Sequence, residues 1–86
     1  MKLGLVEDSL ADCDVILKKD SINMAALYLR GTIYLKLQRP LEAIQDLTKV
    51  MEFNPGHVNA ALARASCYNL IGEFDLAIKD YEAGLL

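Results

Sequence analysis

Side chains that carry catalysis or bind metals are scarce in this sequence. It contains one histidine, His57, two cysteines, Cys13 and Cys67, and no tryptophan. The cysteines have no CxxC spacing, and a zinc site needs more ligands than these three residues supply. We therefore expect both cysteines to be buried thiols that act as small hydrophobes, and His57 to be a solvated turn residue. No catalytic residue, metal site or cofactor is expected, and the chain is not expected to be an enzyme.

Basic charge and long apolar runs are also lacking. The net charge is -3 and the pI about 4.9, so nucleic acid is not an expected partner. The longest apolar stretch, 24–29, is ended by Arg30, far short of the roughly 18 residues that a membrane span needs. Glu7 and Asp8 interrupt the amino-terminal apolar run, which therefore does not form the core of a signal peptide. These features predict an intracellular, cytoplasmic protein.

The sequence repeats itself along the whole chain at an offset of 34 positions. At this offset Tyr34 corresponds to Tyr68 and Asp46 to Asp80. Further pairs at the same offset are Ala26 and Ala60, Arg30 and Arg64, Ala43 and Ala77, and Ile44 and Ile78. A fixed period of roughly 20 to 50 residues is the signature of a repeat architecture, in which each unit is one supersecondary structure stacked on the next.

Each unit is predicted to contain two helices. Apolar residues recur within it at helical spacing. Pro40 suits a first helical turn because its missing N–H would have no partner there, and Pro55 with Gly56 ends the second helix. The predicted helices cover residues 6–19, 24–37, 40–53, 58–71 and 74–85, and no strand is expected.

The residues of these units resemble the tetratricopeptide repeat (TPR). Its pattern W-x2-L-G-x2-Y, A-x3-F, P is matched in spacing by Leu27, Arg30, Gly31, Tyr34, Ala43, Leu47 and Pro55. The next unit repeats the pattern with Ala61, Arg64, Ala65, Tyr68, Ala77 and Tyr81, and with Gly72 and Phe74 at the turn between its helices. The resemblance implies an all-α solenoid of antiparallel helix hairpins. It divides the chain into a partial repeat at 1–22 that holds only a second helix, a full repeat at 23–57, and a truncated repeat at 58–86.

Arginine replaces the usual leucine of the pattern in both units, and each arginine has a repeated aspartate on the second helix. We expect structural ion pairs between Arg30 and Asp46 and between Arg64 and Asp80, because a guanidinium near a core requires a carboxylate partner. Contact with a ligand is the alternative. Asp12 is the equivalent carboxylate of the first unit, and we expect it to meet Arg30 from the preceding helix.

The first helices of TPRs line a concave groove, and the resemblance places twelve residues of this chain there. They are Ala25, Tyr28, Leu29, Thr32, Leu35, Lys36, Asn59, Leu62, Ala63, Ser66, Asn69 and Leu70. This mostly apolar lining is suited to an extended peptide or an amphipathic helix, with hydrogen bonds from Tyr28 and Asn69 to the backbone of the partner. The alternative is that neighbouring repeats of the same protein fill part of the groove.

The predicted function is therefore a protein-interaction scaffold that binds a peptide or helix of a partner protein. An architectural spacer or self-association segment is the alternative. An adaptor for chaperone tails is disfavoured, because the lysine, asparagine and arginine clamp of such TPRs is missing and Lys36 is the one groove-side cation.

The two ends of the chain are expected to associate. The helix at 6–19 lacks a hairpin partner, so its apolar face (Leu10, Cys13, Ile16 and Leu17) would be partly bare. No polar capping helix follows residues 83–86, although solenoids generally need one. These ends predict a homo-oligomer of the fragment formed through its terminal helices.

Overall fold

A computed structural model describes residues 2–85, with side chains described from Asp8 to Ala83. Over this range the chain forms five helices and no strand, which confirms the predicted all-α fold. The helices are α1 (Lys2–Lys19), α2 (Met24–Lys36), α3 (Pro40–Phe53), α4 (Val58–Leu70) and α5 (Phe74–Leu85). The bounds of α2 to α5 agree with the predicted ones to within one residue, whereas α1 begins at Lys2 rather than at residue 6.

The helices pack in chain order and form two hairpins, α2 with α3 and α4 with α5. Helix α1 packs on α2, α3 packs on α4, and α2 also contacts α4, so the two hairpins are stacked. One apolar core runs through the stack. Its buried members are Leu27, Ala43, Leu47, Val50, Ala60 and Cys67. Because each hairpin contributes residues to this shared core, neither hairpin completes it alone.

The two helices of the first hairpin are in close contact at Gly31. A Cβ atom built on Gly31 would lie 2.9 Å from Cγ of Leu47 and 3.5 Å from the carbonyl oxygen of Ala43. Both Leu47 and Ala43 are fully buried. The absence of a side chain at Gly31 therefore allows Leu47 of α3 to pack directly against the backbone of α2.

The turns inside the two hairpins have the same backbone geometry. Gln38 and Gly72, which are repeat equivalents, both have positive φ, at 62° and 84°. In the first turn the Arg39 N–H donates to the Tyr34 carbonyl, and the Gln38 N–H donates to the Leu35 carbonyl. This is the Schellman arrangement, which ends a helix on a left-handed residue and usually places glycine there. Gln38 occupies that position without being a glycine.

The helices α2 and α4 begin with equivalent side-chain caps. Asn23 Oδ1 accepts a hydrogen bond of 3.0 Å from the Ala26 N–H, and His57 Nδ1 accepts one of 3.0 Å from the Ala60 N–H. Each bond satisfies a helix N–H that has no partner within the helix. The prediction that His57 is a solvated turn residue is therefore wrong. Its ring is half-buried and acts as the N-cap of α4.

Both cysteines are buried free thiols, as predicted. Burial raises the pKa of the Cys13 and Cys67 thiols, since desolvation disfavours the thiolate. Around Cys13 the face of α1 is only partly bare, because Leu17 packs against the core while Ile16 is exposed. At the other end, the side chains of residues 84–86 lie outside the described residues, so the prediction that this end is bare stays a prediction.

Candidate functional site

The predicted groove residues occupy equivalent positions on α2 and α4. Each residue of the α2 set has its counterpart 34 positions later on α4. The opposite face of each helix is buried, at Leu27 and Gly31 on α2 and at Ala61 and Ala65 on α4. By contrast, Leu29 on the predicted face is 48% exposed. With 3.6 residues per turn, this distribution gives each helix one core face and one open face.

The predicted lining is divided between open and partly packed side chains, and none of its members is buried. The exposed members are Ala25, Leu29, Lys36, Asn59, Asn69 and Leu70. The half-buried members are Tyr28, Thr32, Leu35, Leu62, Ala63 and Ser66. Tyr28, Leu35 and Ala63 also pack against the core. These three side chains therefore support the fold as well as forming part of the surface. We call the twelve residues the groove surface.

Several polar side chains of the groove surface already have partners in the fold. The Thr32 hydroxyl donates to the Leu29 carbonyl at 2.8 Å, and the Ser66 hydroxyl donates to the Leu62 carbonyl at 3.3 Å. The Tyr28 ring lies 5.0 Å from the His57 ring, at a tilt of 38°. Because His57 caps α4, this contact joins the open face of α2 to the start of α4 and holds the tyrosine ring in place.

Arg30 joins three helices on the other side of α2. Its Nε and Nη2 donate to the two carboxylate oxygens of Asp46, each at 2.8 Å, and its Nη1 donates to Asp14 Oδ1 at 2.7 Å. The hydrogen bonds with Asp46, reinforced by those with Asp14, raise the pKa of the Arg30 guanidinium. The expected contact with Asp12 is wrong. The partner on α1 is Asp14, two residues further along.

Arg64 repeats this arrangement in the second hairpin. Its Nε and Nη2 donate to the carboxylate oxygens of Asp80 at 2.7 and 2.8 Å, and its Nη1 donates to Thr48 Oγ1 at 3.1 Å. Thr48 is the repeat equivalent of Asp14. Each arginine thus binds the second helix of its own hairpin and the preceding helix. A guanidinium whose three donor nitrogens are all engaged in this way has a structural role, and the groove surface lies on the opposite face.

Neither a metal cluster nor a membrane-spanning helix is present in the part of the chain that the structure describes. No three histidine, cysteine or acidic side chains among the described residues are placed to hold a metal ion. Over the same residues, no helix has the length and apolar character required to cross a membrane.

Stacked antiparallel hairpins around one continuous core define an α-solenoid. The model of the tetratricopeptide repeat family matches residues 25–57, the full repeat of the sequence pattern. The chain belongs to the tetratricopeptide-repeat family.

Relatives of known sequence are much longer than this chain. DnaJ homolog subfamily C member 7 of Mus musculus is 39% identical over 59 residues, which are 67% of this chain and 12% of the relative. The tetratricopeptide repeat and J domain-containing co-chaperone DNJ1 of Fusarium oxysporum f. sp. lycopersici is 32% identical over 78 residues, 91% of this chain and 15% of the relative. The similarity is to one stretch of each relative.

Solved structures share the fold over nearly the whole chain. The second TPR of Spaghetti (RPAP3), bound to the HSP90 peptide SRMEEVD, has a TM-score of 0.90 and is 25% identical, with 98% of this chain and 78% of that chain covered. The crystal structure of MamA has a TM-score of 0.89 at 19% identity, with 98% of this chain and 49% of that chain covered. The likeness to MamA shows the fold alone.

Proposed function

We propose that this chain is a protein-interaction scaffold whose groove surface binds a peptide or a helix of a partner protein. The observation that carries the proposal is the matching open face on the stacked helices α2 and α4. Leu29 and Leu70 are 48% and 51% exposed there, although the opposite face of both helices is buried. Exposed apolar side chains that form one surface are typical of a contact site.

The chemistry of the groove surface favours a mainly uncharged partner segment. Lys36 is its one charged residue. Asn59 and Asn69 are exposed and carry amides that both donate and accept hydrogen bonds, as the backbone of an extended peptide requires. Apolar anchors of the partner would cover the two exposed leucines, and the amides would fix the register of its backbone.

Selection from a displayed peptide library tests this proposal, because it identifies binding segments directly. Peptides enriched on the wild-type chain are expected to contain apolar anchors and to lose at least tenfold in affinity for the double variant Leu29→Glu, Leu70→Glu. Glutamate is a good helix former, and both sites are half-exposed, so the fold should tolerate these changes.

The matched control is Leu41→Glu. Leu41 is 65% exposed in the first turn of α3, outside the groove surface, and an acidic residue suits that end of a helix. Enriched peptides should bind this variant as they bind the wild type. Peptides that bind the groove variant and the control equally well would place the interaction elsewhere and overturn the proposal.

Binding of chaperone tails is a second candidate, favoured by the structural neighbour bound to SRMEEVD and by the co-chaperone relatives. That peptide carries several carboxylates, whereas the groove surface offers the single cation Lys36. Isothermal titration with SRMEEVD distinguishes the two functions. We expect weaker binding than for the selected apolar peptides. Equal or tighter binding that depends on Lys36 would favour the chaperone tail.

Self-association is a third candidate, favoured by the exposed apolar side chains of α5. Ile78 is 53% exposed, whereas its repeat equivalent Ile44 packs against the core. Phe74 and Tyr81 are also exposed on this helix. Sedimentation at micromolar concentration should show association that Ile78→Glu abolishes. A wild-type chain that sediments as a monomer would exclude this candidate and leave the groove proposal unaffected.

A further inference from the structure

A pocket of about 430 Å³ lies where α1, α2 and α3 meet. We call it the junction pocket. Its lining residues are Asp14, Leu17, Lys18, Ser21, Leu27, Arg30 and Lys49. The volume is within the usual range for sites that hold small ligands or a few side chains of a partner, roughly 300 to 1,000 Å³.

The junction pocket is separate from the groove surface. Leu27 and Arg30 contribute its α2 wall, and the helical period of 3.6 residues places both of them on the face of α2 opposite to Thr32 of the groove surface. No residue of the pocket belongs to the groove surface. A ligand in one site would therefore leave the other accessible.

The two lysines of the pocket are not required by the repeat fold. At the equivalent junction of the second hairpin, Glu52 stands in place of Lys18 and Ala83 in place of Lys49. The arginine of the junction, by contrast, is present in both units. Within residues 8–83 neither lysine forms an ion pair. Their positive charge is thus available to a ligand.

The remaining charges of the pocket are engaged with one another. Arg30 is held by Asp46 and by Asp14, so the Asp14 carboxylate on the wall is directed to the guanidinium. Leu17 and Leu27 supply the apolar part of the lining, and Ser21 supplies a hydroxyl. Within the described residues the lining therefore combines two ammonium groups that form no ion pair with the partly exposed apolar side chain of Leu17.

We infer that the junction pocket binds an acidic peptide segment of a partner protein. An aspartate or glutamate of the segment lies between Lys18 and Lys49, and an adjacent apolar residue packs on the half-buried Leu17. A bare inorganic anion would use only the lysines and leave the half-buried Leu17 uncovered. The combination of charge and apolar surface therefore favours a peptide over a free anion.

An NMR titration tests the inference with the acetylated, amidated tripeptide Leu-Asp-Leu at low salt. The amides of residues 17–21 and of Lys49 should shift. The neutral tripeptide Leu-Asn-Leu should bind about tenfold more weakly, and added salt should weaken the acidic peptide further, because exposed charge pairs are screened.

Variants that remove the two lysines can be chosen from the equivalent junction of the second hairpin. The double variant Lys18→Glu, Lys49→Ala installs the residues that already stand at the equivalent junction, so it should fold, and it should bind the acidic tripeptide about tenfold more weakly. Lys36→Ala removes the groove cation instead, and it should bind as the wild type does. This pair of variants separates the junction pocket from the groove surface.

Three results would overturn the inference. They are equal binding of the acidic and neutral tripeptides, unchanged binding by the double lysine variant, or absence of amide shifts at millimolar peptide. A further titration uses inorganic phosphate in place of the peptide. If it reproduces the shifts of the acidic tripeptide at the same affinity, the pocket recognises an anion alone and the peptide assignment is wrong.

Discussion

Replacement of Gly31 by alanine tests the close contact between the backbone of α2 and Leu47 of α3. The added Cβ would lie 2.9 Å from Cγ and 3.0 Å from Cδ2 of Leu47. Real Cβ atoms do not approach other carbons so closely, and Leu47 is fully buried, so it has little room to move away. The added methyl group therefore has to displace either the Leu47 side chain or the helix α3 that carries Leu47.

Two opposing effects determine the size of the change. Alanine is favoured over glycine inside a helix by about 0.8–1 kcal/mol, whereas overpacking a well-filled core costs about 1–3 kcal/mol. We expect the overpacking to exceed the gain in helix propensity, with a net loss of about 1 kcal/mol in the free energy of unfolding. Gly31→Leu adds three further carbons at the same contact, and it should cost about 3 kcal/mol or more.

Urea unfolding followed by circular dichroism measures this loss. The control is Ala65, the repeat equivalent of Gly31, where a methyl group is already accommodated and Tyr81 replaces Leu47. Ala65→Gly should destabilise the chain by about 1 kcal/mol, since the glycine loses helix propensity. A Cβ atom is thus expected to lower the free energy of unfolding at position 31 and to raise it at position 65. If Gly31→Ala stabilised the chain as much as Ala65→Gly destabilised it, the close-contact argument would be refuted.

Three further predictions concern the ion pairs, the helix cap and the thiols. Asp46→Ala should lower the free energy of unfolding by about 2–3 kcal/mol because Asp46 is buried. Asp14→Ala should lower it by only about 0.5 kcal/mol because the Asp14 side chain is half-exposed. Equal losses of the two variants in urea unfolding would contradict this difference. His57→Ala should lower the stability to thermal unfolding by about 1 kcal/mol, because the N-cap of α4 is lost. His57→Asn should be nearly neutral, because asparagine is a good N-cap. A large loss of stability with asparagine would show that the contact of the His57 ring with Tyr28 contributes more than the cap. Cys13 and Cys67 should react slowly with iodoacetamide in the folded chain, since burial keeps both thiols protonated, and rapid alkylation under native conditions would show that they are accessible.

The raised thiol pKa values also determine how stability should depend on pH. In the folded chain the protonated thiols are favoured up to a higher pH than in the unfolded chain, so their contribution to stability is complete below the ordinary pKa of an unfolded thiol. It should be lost as the pH rises through the folded values.

The regular period of the repeat made the architecture predictable. It located the bounds of α2 to α5, because turn signals such as Pro40 and Pro55 with Gly56 separate the helices of a regular unit. It also indicated which arginine faces which aspartate in each hairpin. These features depend on local turn chemistry and on residues that repeat, and both can be read without coordinates.

The helix caps and the left-handed turns, which sequence reasoning missed, become visible when the units are compared position by position. Asn23 and His57 are repeat equivalents, so the cap formed by one predicts the cap formed by the other. Gln38 and Gly72 are equivalent in the same way, and the glycine indicates the left-handed turn that glutamine also adopts.

The erroneous contact of Asp12 with Arg30 has a different cause. Asp12 is equivalent to Asp46, so it occupies the position that faces the arginine of its own hairpin. The neighbouring repeat is contacted from a position two residues later, where Asp14 and Thr48 stand. The junction pocket was missed for the same reason, since three helices have to be placed together before its lysines become neighbours.

The proposed interaction role is tested most directly by an amide-shift map of the chain with a peptide selected from the library. We expect shifts on the open faces of α2 and α4, centred on Leu29, Thr32, Ala63 and Ser66, and we expect the double variant Leu29→Glu, Leu70→Glu to lose them. Shifts confined to the outer surfaces of α3 and α5, with the groove surface unchanged, would contradict it.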